Sequence, residues 1–313
     1  MGKNEKACAF KTSVGGQALL EGIMMKGPDK YALAVRRPDG GIEVEEHPLK
    51  SHKWQKAPLV RGVLIFIDSL LTGYKCLMRS AEISMPEEME AEKPSKFDAF
   101  LEKHFGDKAM KAMMGLSAVL GVFLALALFM VLPTFLVGLL GGVVELGFWK
   151  NVLEGLVKMA IFLAYMGLVS CIKDIYRVFC YHGAEHKTIA CYEAGEELTV
   201  ENVKKYTRFH PRCGTSFLLL VLIISIVVGG FLPWTSTWLR ALLKVLLLPV
   251  VMSLAYEVIR FAGRHDNWLT RIISAPGLWL QRLTTHEPDD GMIEVAIAAV
   301  KPVLPENKED GAW

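Results

Sequence analysis

The chain has no CxxC pair, no secretory leader and no glycine-rich phosphate loop between a strand and a helix, and each absence closes a class of function. Residues 1–17 contain no apolar core, so no signal peptide opens the chain and its start is expected on the cytosolic side. Thiols stay reduced there. The six cysteines, at 8, 76, 171, 180, 191 and 213, therefore read as packing residues or ligands and not as a disulfide framework. Without a phosphate loop or an RNA-binding signature, and with a net charge of only +2, nothing points to a nucleic-acid partner. Charge itself is missing where it matters most: residues 116–140 carry none.

What is present is apolar. Hydrophobic residues make up 52% of the chain and charged residues 22%, with the charges confined to connections and ends, as in a membrane protein. Four long apolar stretches stand out: Leu116–Leu140 with Pro133 as a kink, Val152–Ile172 carrying Glu154 and Lys158, Ser216–Leu232, and Leu239–Ile259 with Pro249 inside. Before them, Val14–Pro48 is strand-like. Tyr31–Val35 and Ile42–Val44 flank the turn Arg37-Pro-Asp-Gly-Gly41, and Ala18–Met25 reads as another strand or a short helix. Residues 59–78 are apolar but interrupted by Arg61, Asp68 and Lys75, short of the roughly 20 apolar residues of a full span. Ile272–Leu280, broken at Ala275-Pro-Gly277, reads as an interfacial or re-entrant piece, and Met292–Val300 as a small docking helix.

The expected fold is mainly α: a polytopic helical membrane bundle of about four transmembrane helices with a small N-terminal β unit. Its parts are a cytosolic β unit (1–58), an interfacial or bundle-packed helix (59–80), a linker and surface helix (81–111), a four-helix membrane domain (112–282) with a cytosolic loop at 173–215, and a C-terminal cytosolic tail (283–313). The 173–215 connection is rich in Lys and Arg, whereas 141–151 carries only Lys150 as a basic residue and 233–237 none. Basic connections face the cytosol, which puts both termini and 173–215 inside a multi-pass protein of the plasma membrane, with the lipid bilayer as its first partner.

The chemistry concentrates in 173–215. In Tyr181-His-Gly-Ala-Glu-His186, the two histidines are four apart, and on a helix they stack on one face where two imidazoles can grip one divalent ion. Glu185 lies three positions after His182, placed to act as a general base toward water or as a further ligand. His210-Pro-Arg-Cys213 adds a His and a Cys at i, i+3, on a turn stiffened by Pro211. The candidate ligands are His182, His186, His210 and Cys213, a thiolate-and-imidazole set that favours Zn2+ over magnesium or calcium. Four protein ligands would make a closed, structural site, whereas three would leave a position open and give Glu185 a catalytic task. Glu257 and His265 are placed where they could approach the same face. Glu154 and Lys158, at i, i+4, read as a surface-type salt bridge near a membrane interface.

Val14-Gly-Gly-Gln-Ala18 with Glu21-Gly-Ile-Met-Met25, Tyr181–Lys187, His210-Pro-Arg-Cys-Gly-Thr215 and Tyr256–Gly263 together resemble the YqhQ-like family of bacterial membrane proteins, over about Val14–Val300. The family is a domain of unknown function with the label of a predicted metal-dependent enzyme, so the resemblance implies the type of protein and no substrate. It also marks the Gly-Gly-Gln stretch as part of the pattern, which suggests a tight backbone turn at Gly15 and Gly16 that docks on the metal face. The leading functional expectation is a metal-dependent hydrolase, with Glu185 catalytic. The alternative is a zinc-stabilised membrane scaffold or an assembly factor for other membrane proteins. A transporter or metal sensor is disfavoured by the lack of deep acidic groups and of an internal repeat.

Overall fold

The computed structural model describes residues 10–49, 57, 60–85, 107–145, 147, 149–265 and 267–305, with 107–114 described for their backbone only. The chain divides into two compact units. One is formed by 1–86, 166–221 and 252–313, the other by 87–165 and 222–251.

The first unit is organised around a four-stranded antiparallel meander, β1 (Gly15–Leu19), β2 (Gly22–Lys26), β3 (Lys30–Arg36) and β4 (Ile42–Pro48), in sequence order. Side chains alternate across it, as a period of two dictates. Ile23, Met25, Ala32 and Ala34 point to one face, with Ile23 opposite Ala34 and Met25 opposite Ala32. Leu19, Met24, Leu33 and Val35 point to the other. Both faces are covered, which explains why the central strands are apolar without a polar side. Helix α1 (Arg61–Ser84) covers the second face through Cys76 and Ile83. Lys26 also reaches Asp68 of α1 at 2.9 Å, and the Ser80 hydroxyl donates to the Leu20 carbonyl. The turn between β1 and β2 places Glu21 at φ 49°, a left-handed position that favours glycine. The carboxylate of Glu21 repays that strain by taking both Arg177 nitrogens, at 2.5 and 2.6 Å, and the Tyr181 hydroxyl at 3.1 Å.

The first face is covered by two helices. Within 283–313, read as a tail, the docking helix expected at Met292–Val300 is present as Asp290–Val300, capped by the Asp289 side chain accepting from Met292 N at 2.8 Å. Met292, Ile293, Val295, Ala296, Ile297, Ala299 and Val300 all bury against the sheet and its neighbours. The 173–215 connection, expected as a loop, opens with a 21-residue helix, Lys173–Glu193, buried from Cys180 almost to its end. Ile272–Leu280 is also not broken. It lies inside one continuous helix, Trp268–Thr284, that runs through Pro276 and starts with a capping box between Asn267 and Thr270.

Among the described residues, three helices are long and apolar enough to cross a membrane: Gly115–Leu140, Trp149–Ser170 and Thr237–Arg264. The expected fourth, Ser216–Leu232, is a 17-residue helix, Gly214–Gly230, followed closely by Pro233. At 1.5 Å per residue it is about 25 Å long, somewhat short of a hydrocarbon core of about 30 Å. In the first of these helices a π turn at Ala127–Val131 precedes Pro133. Proline removes a donor and crowds the carbonyl four residues back, here that of Phe129 inside the π turn, so the distortion has a cause in the sequence. The expected surface helix 96–111 is seen from Asp107 onward; its earlier part lies outside the described residues.

Because Ile293 is 1% exposed at the heart of the sheet-covering helix, Ile293→Ala is expected to cost about 2–5 kcal/mol. Denaturant unfolding of the purified protein measures it. A loss below about 0.5 kcal/mol would mean that the C-terminal helix is not part of the core.

Candidate metal centre

The site is built on the helix Lys173–Glu193, here α2 of the site-bearing unit after α1. His182, Glu185, His186 and Glu193 recur at spacings of three, four and seven. They therefore share one face, and that face is buried. Polar groups in such a position need partners, and each finds one on a different segment. His182 Nδ1 lies 2.8 Å from the Thr284 carbonyl, and His186 Nδ1 lies 2.6 Å from the Arg208 carbonyl. A carbonyl only accepts, so both Nδ1 atoms carry the proton and both Nε2 atoms are left to face the centre. Nδ1–H to a carbonyl is the arrangement that orients a metal-ligating imidazole.

The ligand atoms of His182, His186 and Cys213 all lie within 4.8 Å of one another, and all three residues are in the buried interior. His182 Nε2 is 3.1 Å from Cys213 Sγ, which also receives the Thr215 hydroxyl at 3.2 Å and the Thr215 N–H at 3.4 Å. His186 Nε2 is buried without a hydrogen-bond partner among the described residues. Burial alone would raise the Cys213 thiol, but the charges of His182 and His186 outweigh it and hold the thiol well below its ordinary range. Burial likewise disfavours the charged His182, yet Cys213 pushes its pKa up to about 9. The donor set and the orphaned Nε2 both fit a metal ion: this buried His-His-Cys group could hold one.

Glu185 stands beside the group. Its Oε1 accepts from Gly16 N at 2.9 Å, while its Oε2 is buried without a partner among the described residues. Burial raises its pKa, only partly countered by His182 and His186. Glu185, His186, His210 and Cys213 line one cavity of about 220 Å³, together with Gly16, Gln17 and Lys26. Its size is modest for a small-molecule pocket, which typically has roughly 300–1,000 Å³.

His210 lies in the same cavity but outside the three-residue group. Its ring centre is 5.6 Å from that of His186, and its Nε2 is 3.6 Å from Glu193 Oε2. Gln281 clamps its backbone, donating to the His210 carbonyl at 2.7 Å and accepting from its N–H at 2.8 Å. Glu193 also takes the Arg212 guanidinium and the Thr12 N–H at 2.7 Å. Burial would raise its carboxyl, but His210 and Arg212 hold it below the ordinary range. Burial lowers His210 in spite of Glu193. Sequence reading missed Glu193, although the i, i+4, i+11 spacing from His182 carried the signal. Glu257 and His265 are elsewhere: Glu257 pairs with Arg61, and His265 stacks on Phe261 at 4.4 Å.

The Gly-Gly-Gln stretch does reach this face, but as strand β1 and not as a tight turn. What Gly16 provides is closeness. A Cβ there would meet the Met24 carbonyl at 2.6 Å and Glu185 Cδ at 3.1 Å, whereas one on Gly15 would meet nothing within 4 Å. Gln17 packs its amide against Gly73 of α1.

A family model described as "Protein of unknown function (DUF1385)" matches residues 57–306. The chain belongs to this family. It is also 36% identical over 300 residues to "Uncharacterized protein YqhQ" of Bacillus subtilis (strain 168), covering 93% of this chain and 92% of that one. No solved structure matches it. The motifs around His182, Glu185, His186, His210 and Cys213 all fall inside the matched region.

Gly16→Ala is expected to destabilise the protein by about 1–3 kcal/mol through overpacking against a carbonyl that cannot yield, with Gly15→Ala close to neutral. Thermal melts of the two variants side by side check this. Equal effects would mean that Gly16 is not seated against Glu185.

Proposed function

We propose that this protein is a multi-pass protein of the bacterial inner membrane and a zinc-dependent hydrolase, its site facing the cytosol. The single observation that carries the reading is the three-ligand group His182, His186 and Cys213 beside a cavity that Glu185 lines, with one Glu185 carboxylate oxygen unpartnered among the described residues. Catalytic zinc sites keep one coordination position open, and structural ones usually fill all four. When bound there, zinc supplies Lewis acidity toward a carbonyl or phosphoryl group. The chain's own residues do the rest. Gly16 fixes Glu185 through one oxygen and leaves the other to take a proton from water. Thr284 and Arg208 hold the imidazoles in the ligating tautomer.

The membrane part of the reading is supported by the three long apolar helices, with Gly214–Gly230 as a shorter fourth crossing, and by the basic 173–215 segment as the cytosolic side. A second reading is favoured by His210, whose ring lies one neighbour away from His186. Were it to complete a closed site, zinc would pin the segments of the first unit together, and the protein would serve as a scaffold or an assembly factor for other membrane proteins.

Glu185→Gln separates the two. The hydrolase reading expects the variant to keep its metal, by elemental analysis, and to lose turnover on panels of phosphoester, peptide and lipid-headgroup substrates that the wild type hydrolyses. Wild-type turnover that persists unchanged in the variant contradicts a catalytic Glu185. Cys213→Ser is expected to lose most of its metal in either case, because a thiolate ligand is replaced by a poor one.

A further inference from the structure

The second unit contains a cluster of buried charge that is separate from the metal centre. Glu154, Lys158, Arg240 and Lys244 are 4%, 3%, 1% and 7% exposed. The sequence suggests a bridge between Glu154 and Lys158, but the structure pairs Glu154 with others. Arg240 donates to Glu154 Oε2 at 2.9 and 3.2 Å, and Lys244 and the Thr134 hydroxyl reach Oε1. Arg240 is further satisfied by the Gly229 carbonyl at 2.8 Å and Asn151 Oδ1 at 2.9 Å, and it stacks on Trp234 at 4.1 Å. One carboxylate thus serves two cations.

Lys158 is left over. Its ammonium has three donors, and its one hydrogen bond among the described residues is to the neutral Ser225 hydroxyl, at 3.0 Å. The formal count is three cations against one anion, an excess of two positive charges. Buried charge without a counter-charge is costly, and a bound anion is one way to relieve such an excess. Space for one is present. Lys158, Lys244, Asn151, Ser225, Gly155 and Ile226 line, with Glu154, a cavity of about 10 Å³. That is close to the minimum for a single water-sized occupant, and it is too small for a phosphate or a carboxylate. A Cβ at Gly155 would already press on Ile226, so this wall is closely packed.

We propose that this cluster is a binding site for a small monovalent anion of halide size, held by Lys158 and Lys244 with the Ser225 hydroxyl. Ser225 can donate to the anion because its oxygen accepts from Lys158, although its hydroxyl also lies 2.7 Å from the Leu222 carbonyl and would have to turn. Glu154 is shared between Arg240 and Lys244, which leaves Lys158 as the cation whose charge it does not pair.

Chloride NMR on the purified full-length protein tests this, with gluconate as the companion anion at constant ionic strength. The wild type is expected to show saturable excess line broadening that bromide displaces, and chloride but not gluconate should raise its melting temperature. Lys158→Met should lose both effects. If that variant fails to fold, Ser225→Ala, which removes a single hydroxyl, should weaken the broadening while the protein still melts cooperatively. Wild-type protein with no saturable broadening would overturn the site, as would broadening unchanged in both variants.

Discussion

A row of ionisable side chains along the buried face of the helix Lys173–Glu193 sets what everything around it must supply. His182, Glu185, His186 and Glu193 cannot be left in an apolar core without partners, because each unmet polar group would cost on the order of 1–3 kcal/mol or more. The partners come from far along the chain. Gly16 and Thr12 donate from the N-terminal segment, Arg208 offers its carbonyl from the turn before Cys213, and Thr284 offers its own from the end of the helix Trp268–Thr284. The sheet, the C-terminal helix and the His210–Cys213 turn converge on this face. Among the described residues, two atoms on this face have no hydrogen-bond partner, Glu185 Oε2 and His186 Nε2.

Much of this was legible in the residues. The histidine pair at i, i+4 identified a helical face, and the His-x-x-Cys turn supplied the thiol that meets it. The strand pattern of Val14–Pro48 was readable in part: the Arg37–Gly41 turn punctuates it, but Ala18–Met25, read as one strand or a short helix, is divided by a turn at Leu20 and Glu21 between β1 and β2. Other parts were not. The helix Asp290–Val300 was read as a small docking helix from its apolar run, but nothing in that run says that its partner is the N-terminal sheet. Pro276 looked like a break because proline usually ends a helix, yet the capping box at Asn267 and Thr270 and close packing of Gly277 on Ser216 carry the helix through it. Gly16 was read for its freedom to turn, when its value is the missing Cβ.

The two polar clusters follow different logic. At the His182, His186 and Cys213 group two imidazoles and a thiol lie close together, and one ring nitrogen has no hydrogen-bond partner among the described residues. Around Glu154 the excess is cationic, and one carboxylate is shared between Arg240 and Lys244. Helical spacing alone suggested a Glu154–Lys158 pair, because i, i+4 neighbours are close on an isolated helix. Tertiary packing offered Glu154 better partners, and Lys158 was turned toward Ser225 instead. Both clusters show that a buried charge is understood only from the segments that surround it.

The central claim is that His182, His186 and Cys213 ligate one ion. X-ray absorption at the metal edge, on protein purified without chelators, tests it most directly. The account predicts a near-stoichiometric ion with one sulfur and at least two imidazole nitrogens in its coordination shell. A shell without sulfur, or native protein that carries no stoichiometric metal, would contradict it.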